Sequence, residues 1–186
     1  MKKLLIAGDS FAANWRVKYN GAGWVNLLEN DFEVKNIAQA GVSEFKILKQ
    51  LEKLNLNEFD HVIVSHTSAY RIPIKEHPIH KEDLLHKNCD LIFSDVQEHL
   101  DNPIMKIAYD FYGHIFNPDY FVYINSLLYN EIKKMSNNIT HITFFDSFYN
   151  DDVFKFENVF LENKGNMNHM NKHGNEIIYN KIKNII

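Results

Sequence analysis

Four short apolar runs, separated by longer segments of helical periodicity, constrain this chain more than any other feature. Lys3–Ala7 (KLLIA), Phe32–Ile37 (FEVKNI), His61–Ser65 (HVIVS) and His141–Phe145 (HITFF) have the length and the β-branched or aromatic content of strands. Between them, Gly23–Asn30 (GWVNLLEN), Glu44–Leu54 (EFKILKQLEKL), Pro118–Met135 and Gly174–Ile186 read as helices. In Glu44–Leu54 the apolar residues recur at helical spacing, and Pro118 with Asp119 suits a helix start. Strands that alternate with helices predict an α/β fold, a three-layer α/β/α sandwich around a mostly parallel sheet. In such sheets ligands sit beyond the carboxyl ends of the strands. Ser10, Gly41 and Ser65 to Ser68 each follow a predicted strand, so all three should gather on that edge.

The 186 residues, 45% hydrophobic and 13% aromatic, can bury one sizeable core. No internal repeat, linker or low-complexity tract divides them, so residues 1–186 read as a single domain. Residues 70–117 are less regular; they are expected to form an insertion over the strand edge, a candidate lid, with 81–100 partly helical. A net charge of -4 argues against a general phosphate-backbone binder, and no nucleic-acid partner is expected. The apolar run at the start stops at Gly8-Asp9, shorter than the roughly 7–15 residues of a signal h-region. No stretch approaches the roughly 20 apolar residues of a membrane span, so no membrane insertion and a cytoplasmic location are expected. The single cysteine, Cys89, rules out an internal disulfide framework and a cysteine-built zinc site. His77, His80, His86, His99 and His114 match no compact ligand spacing, and neither a metal nor another cofactor is expected.

The stretch IAGDSF raises the question of chemistry, because it sets Ser10 on a turn directly after the first strand. A serine hydroxyl becomes a useful nucleophile only with a base in reach, a group that orients the base, and donors for the oxyanion. His169, just ahead of the last helix, is the candidate base. Gly41 can bring its N–H close to a ligand because it has no Cβ. The Ser10 N–H is the natural second donor, and a hydroxyl of Thr67 or Ser68 a third. Asp9 is expected to hold the turn through backbone hydrogen bonds. His66 and Arg71 flank the third segment as candidate substrate contacts; Arg71 suits an anionic group, with a structural salt bridge as the other reading. The aromatic stretch from Tyr109 to Tyr123 reads as core, or as a platform for sugar rings if exposed.

Gly8-Asp9-Ser10, then Asn36 to Gly41, then His169-Met170-Asn171 with Gly174 come in an order that resembles the blocks of the SGNH (GDSL-type) hydrolase family. The resemblance runs from Gly8 to the C-terminus. It implies a flavodoxin-like α/β/α fold, Ser10 as nucleophile, Gly41 as an oxyanion donor and His169 as base. Two departures stand out. The family's third block reads G-x-N-D, whereas this chain has His66-Thr67-Ser68-Ala69, which puts Ser68 in the place of the asparagine. The last block reads D-x-x-H, and here its first position is Asn166. Losing an oxyanion donor costs on the order of 100–1,000-fold in turnover, and a neutral amide cannot stabilise imidazolium as a carboxylate does. Asp146, at the end of the fourth predicted strand, or a backbone carbonyl could take the carboxylate's role. The resemblance implies a serine esterase that acts through an acyl-enzyme on a small acyl ester, with O-acetylated carbohydrate as a substrate class. Acyl transfer to a sugar, or ligand binding without catalysis on the same fold, are the alternatives; the oligomeric state stays open.

Overall fold

The computed structural model describes residues 1–17, 23–147, 150–166 and 169–186. Its sheet holds β1 (Lys3–Gly8), β2 (Glu33–Asn36), β3 (His61–His66), β4 (Ile139–Thr143) and β5 (Phe154–Lys155). All four pairings are parallel, in the order β2-β1-β3-β4-β5. That order is the flavodoxin-like arrangement. Seven α-helices flank the sheet among the described residues: α1 (Trp24–Leu28), α2 (Glu44–Leu51), α3 (Phe93–Glu98), α4 (Pro103–His114), α5 (Pro118–Lys134), α6 (Glu157–Glu162) and α7 (Lys172–Lys183).

The alternation of side chains along the central strands builds two cores. Leu4, Ile6, Ile63 and Ile142 face one way and meet Trp24 and Leu28 of α1 with Ile178 and Ile182 of α7. Leu5, Ala7, Val62 and Val64 face the other way and meet Ile47 and Leu51 of α2 with Ile132 of α5. Strands covered on both faces need apolar residues at consecutive positions, which is why KLLIA and HVIVS read as unbroken runs. Burying one such Leu or Ile side chain contributes about 1.5–3 kcal/mol. A one-residue slip of β1 would exchange its two sets of partners, so the register is strongly fixed.

The structure departs from the expected elements in three places. β4 begins at Ile139 and ends at Thr143, because Thr143 Oγ1 accepts the Phe145 N–H at 3.2 Å and turns Phe144 and Phe145 off the ladder. β5 has only two residues, both exposed, and so leaves no apolar run in the sequence. Within 81–100 the helix covers only Phe93–Glu98, whereas α4 arises beyond it at Asn102-Pro103. Asn102 accepts the N–H groups of Ile104 and Met105, and the pre-set φ of Pro103 suits the first helical position. The same Asn-Pro device starts α5, where Asn117 accepts from Asp119 and Tyr120.

Leu91, Val96, Met105 and Ala108 form a small core of their own between α3 and α4. An antiparallel bridge between Ile72 and Leu91 closes the intervening excursion at its base. Among the described residues no helix is long and apolar enough to cross a membrane.

Candidate active site

The sequence-derived candidates lie on the segments that follow β1, β2, β3 and β4 and on the turn before α7. β1 ends at Gly8, whose φ of +137° and close approach to Ser65 exclude a side chain: a Cβ there would lie 2.4 Å from the Ser65 carbonyl oxygen. Asp9 follows, wholly buried. Its carboxylate accepts the Phe11 N–H at 3.1 Å and the Ser65 hydroxyl at 3.2 Å, and its own N–H donates to the Ser65 carbonyl at 3.2 Å. Asp9 therefore pins the turn that carries Ser10. Burial pushes its carboxyl up to about 6, against the opposing pull of the Arg71 guanidinium.

Ser10 is half-buried, and its carbonyl accepts the Trp15 indole N–H at 2.7 Å. The His169 imidazole packs edge-on against that indole, 4.3 Å between ring centroids, and lies 5.0 Å from the Phe11 ring. The base candidate thus sits in an aromatic slot whose two walls are fixed to the Ser10 turn. The chain reaches that slot through a tight reversal. The Gly165 N–H donates to the His169 carbonyl at 2.6 Å, the His169 N–H to the Asn166 carbonyl at 3.2 Å, and Lys164 bridges to Met170. Asn171 then caps α7 by accepting the Gly174 N–H at 2.9 Å. A Cβ on Gly174 would come within 2.7 Å of the Asn163 Cβ, so the glycine admits close packing there. The Asn and Gly of the last block are thus framework that aims the histidine.

Gly41 is the second position where only glycine fits. Its φ is +76°, and a Cβ would meet the Cys89 Cβ at 2.6 Å. The loop that carries it is tied to β1 by Gln39, whose N–H donates to the Gly8 carbonyl at 3.0 Å. Asp90, which the sequence reading missed, holds its far side. The buried Asp90 carboxylate accepts the Ser43 N–H at 2.7 Å and pairs with Lys46 at 2.8 Å, and the Asp90 N–H donates to the Gly41 carbonyl at 2.8 Å.

The remaining candidates are bound inward or spread apart. Thr67 is wholly buried. Ser68 is half-buried and accepts the Tyr70 N–H at 3.3 Å. His66, expected as a substrate contact, is buried instead, with Nδ1 2.6 Å from Glu44 and Nε2 2.9 Å from His141 Nδ1. The pleat of β3 turns it toward α2 and α5 rather than toward the cleft. Arg71, the other expected contact, donates to the Val42 carbonyl and pairs with Asp9. The salt-bridge reading is the one it takes up. Asp146 and Asn166 are exposed, and Asn166 meets His169 through its main-chain carbonyl.

No protein-family model matches the chain, and no curated protein matches it either. Among solved structures, the psychrotrophic esterase EstA from Pseudoalteromonas sp., in a structure inhibited by monoethylphosphonate, superposes with a TM-score of 0.51 at 15% identity. The match covers 99% of this chain and 96% of that one. This chain has the fold of an esterase. The likeness in fold spans nearly the whole chain.

At the carboxyl edge of the sheet Ser10 stands on a pinned turn, His169 packs on the Trp15 indole bound to that turn, and Gly41 lies on the adjoining loop. Metal chemistry has a separate candidate in the excursion, where His77 and His80 face the two oxygens of Asp95 at 3.1 and 2.9 Å and His99 Nδ1 lies 3.5 Å away. Spacing could not reveal this group, because a loop and a helix end bring its members together. His77 Nδ1 accepts the N–H groups of Ile79 and His80, which leaves Nε2 facing the carboxylate. His77, His80 and Asp95 each bring one ligand atom within 4.8 Å of the others, close enough to hold a cation.

Proposed function

We propose that this chain is a serine esterase that acts through an acyl-enzyme on small acyl esters. The observation that carries the reading is the His169 ring packed on Trp15, whose indole N–H in turn holds the Ser10 carbonyl. Ser10 Oγ attacks the ester carbonyl while His169 accepts its proton. The tetrahedral oxyanion is held by the N–H groups of Ser10 and Gly41, and the Ser68 hydroxyl is the third donor. Collapse expels the alcohol, which takes the proton back from His169. Water then repeats the sequence on the acyl-enzyme and releases the acid. The aromatic slot of Phe11 and Trp15 restricts the imidazole, a task that a carboxylate shares in the family pattern. Asp146 or a backbone carbonyl is the candidate partner behind the ring.

O-acetylated carbohydrate is the substrate class that the family resemblance implies. A sugar hydroxyl that replaced water would make the same acyl-enzyme a transferase. Ser68 and Asn166, which stand where the family uses asparagine and aspartate, favour a second reading, a ligand-binding protein on the same fold without turnover. EstA, the esterase of like fold, was obtained inhibited by monoethylphosphonate, and a phosphonate is a tetrahedral mimic of the acylation intermediate. Hydrolysis of p-nitrophenyl acetate separates the two readings. The esterase reading expects a burst in the native chain and losses of at least 100-fold in Ser10→Ala and in His169→Ala. Equal rates in all three chains favour the binding protein.

A further inference from the structure

The excursion between β3 and α4 grips the Gly41 loop at its base. Ile72 and Leu91 exchange both backbone hydrogen bonds at 3.1 Å, and Arg71 and Asp90 precede them, one on each segment of the bridge. Asp90 takes the Ser43 N–H, as described above. Arg71 takes the residue between: its Nη1 donates to the Val42 carbonyl at 2.7 Å. Its Nη2 lies 3.4 Å from Asp9 Oδ2, on the other segment. Val42 follows Gly41 and Asp9 precedes Ser10, so each hand of one guanidinium holds the residue beside an oxyanion donor. The Arg71 side chain is 7% exposed, and its guanidinium lies 5.5 Å from the centre of the Phe145 ring. Its plane has little freedom.

We propose that Arg71 is a positioning residue that sets the distance between the Ser10 and Gly41 N–H groups, an inference that rests on the esterase reading. The two segments belong to different loops and meet here through a rigid planar fork. A lysine carries the same charge on a single flexible ammonium and cannot hold both acceptors in one geometry. Misplacing a catalytic group by about 1 Å costs on the order of 100-fold in turnover. The oxyanion charge develops only in the transition state, so this spacing acts on kcat more than on KM.

The test compares Arg71→Lys with the double variant Asp9→Asn/Arg71→Met, which removes both buried charges together and protects folding. With p-nitrophenyl acetate, kcat falls about 10–100-fold in both variants while KM stays within about twofold. Hydrogen–deuterium exchange speeds up in the peptides that cover residues 9–12 and 40–44 together, with the sheet peptides unchanged. A purely structural Arg71 predicts otherwise, because the double variant would regain kcat as its stability returns. Unchanged kcat in Arg71→Lys, or no coupled rise in exchange of the two loops, overturns the proposal. If the native chain shows no turnover, the esterase reading fails, and the exchange measurement alone decides whether Arg71 couples the loops.

Discussion

Asp9 and His141 are buried titratable groups that pull stability in opposite directions as pH changes. Burial raises the Asp9 carboxyl from 3.8 to about 6, so the folded chain takes up a proton that the unfolded chain accepts only nearer 3.8. Lowering the pH through that window therefore favours the fold. Burial, with His66 nearby, lowers His141 from 6.5 to about 3, so acid protonates it first in the unfolded chain and disfavours the fold. Between pH 6 and 4 the two contributions oppose each other. In Asp9→Asn the His141 effect stands unopposed, and stability should fall more steeply over that window, by up to about 3 kcal/mol. Urea melts at several pH values check this; parallel profiles for native and variant would remove the Asp9 contribution. Gly41→Ala should cost about 2–4 kcal/mol, from the left-handed φ and the Cys89 contact together, read as a lower urea midpoint. At this scale the motif residues were legible because their chemistry is local: a glycine at a turn, a serine after a strand, a histidine before a helix. Arg71 and Asp90 were not legible as supports. The pairing of Arg71 with Asp9 spans 62 residues of chain and exists only once the Ile72–Leu91 bridge has formed.

Local start signals explain which elements could be read from sequence. Asn102-Pro103 and Asn117-Pro118 both begin helices with the same side-chain cap, yet only the second stood out. α4 leaves Ile104 and Ile107 exposed, so its apolar residues do not confine themselves to one face and the periodic signal blurs. β5 fails for the opposite reason, since two exposed residues carry no pattern at all. The α7 cap is the element that bears most on the site. Asn171 supplies a side-chain cap for that helix, and its backbone N–H also donates to the Asn163 carbonyl at 2.8 Å. Asn171→Ala should cost about 1 kcal/mol, which in a chain of this size lowers the melting temperature by roughly 2–4 °C. The turn that carries His169 ends at that cap, so kcat should fall with it. A variant that loses stability but keeps full kcat would mean that the aromatic slot alone orients the imidazole.

Across the whole molecule, the parallel sheet and the convergence of three loops on one edge followed from alternation in the sequence, because buried parallel strands leave unbroken apolar runs. The role of the excursion did not. Residues 70–117 were expected as an insertion or a candidate lid, and contacts from this segment run to the Gly41 loop through Cys89, Asp90 and Arg71. These contacts are tertiary, made by residues whose types are ordinary in loops, and no spacing announces them. The central claim of the proposed function is acyl-enzyme chemistry at Ser10, and the packing of His169 on the Trp15 indole bound to the Ser10 turn is what supports it. The most direct measurement is labelling with an alkyl phosphonate ester, followed by peptide mass spectrometry of the native chain, Ser10→Ala and His169→Ala. Acyl-enzyme chemistry predicts one adduct on Ser10, formed much more slowly in His169→Ala and absent from Ser10→Ala. An adduct on another residue, or equal labelling of all three chains, would contradict it.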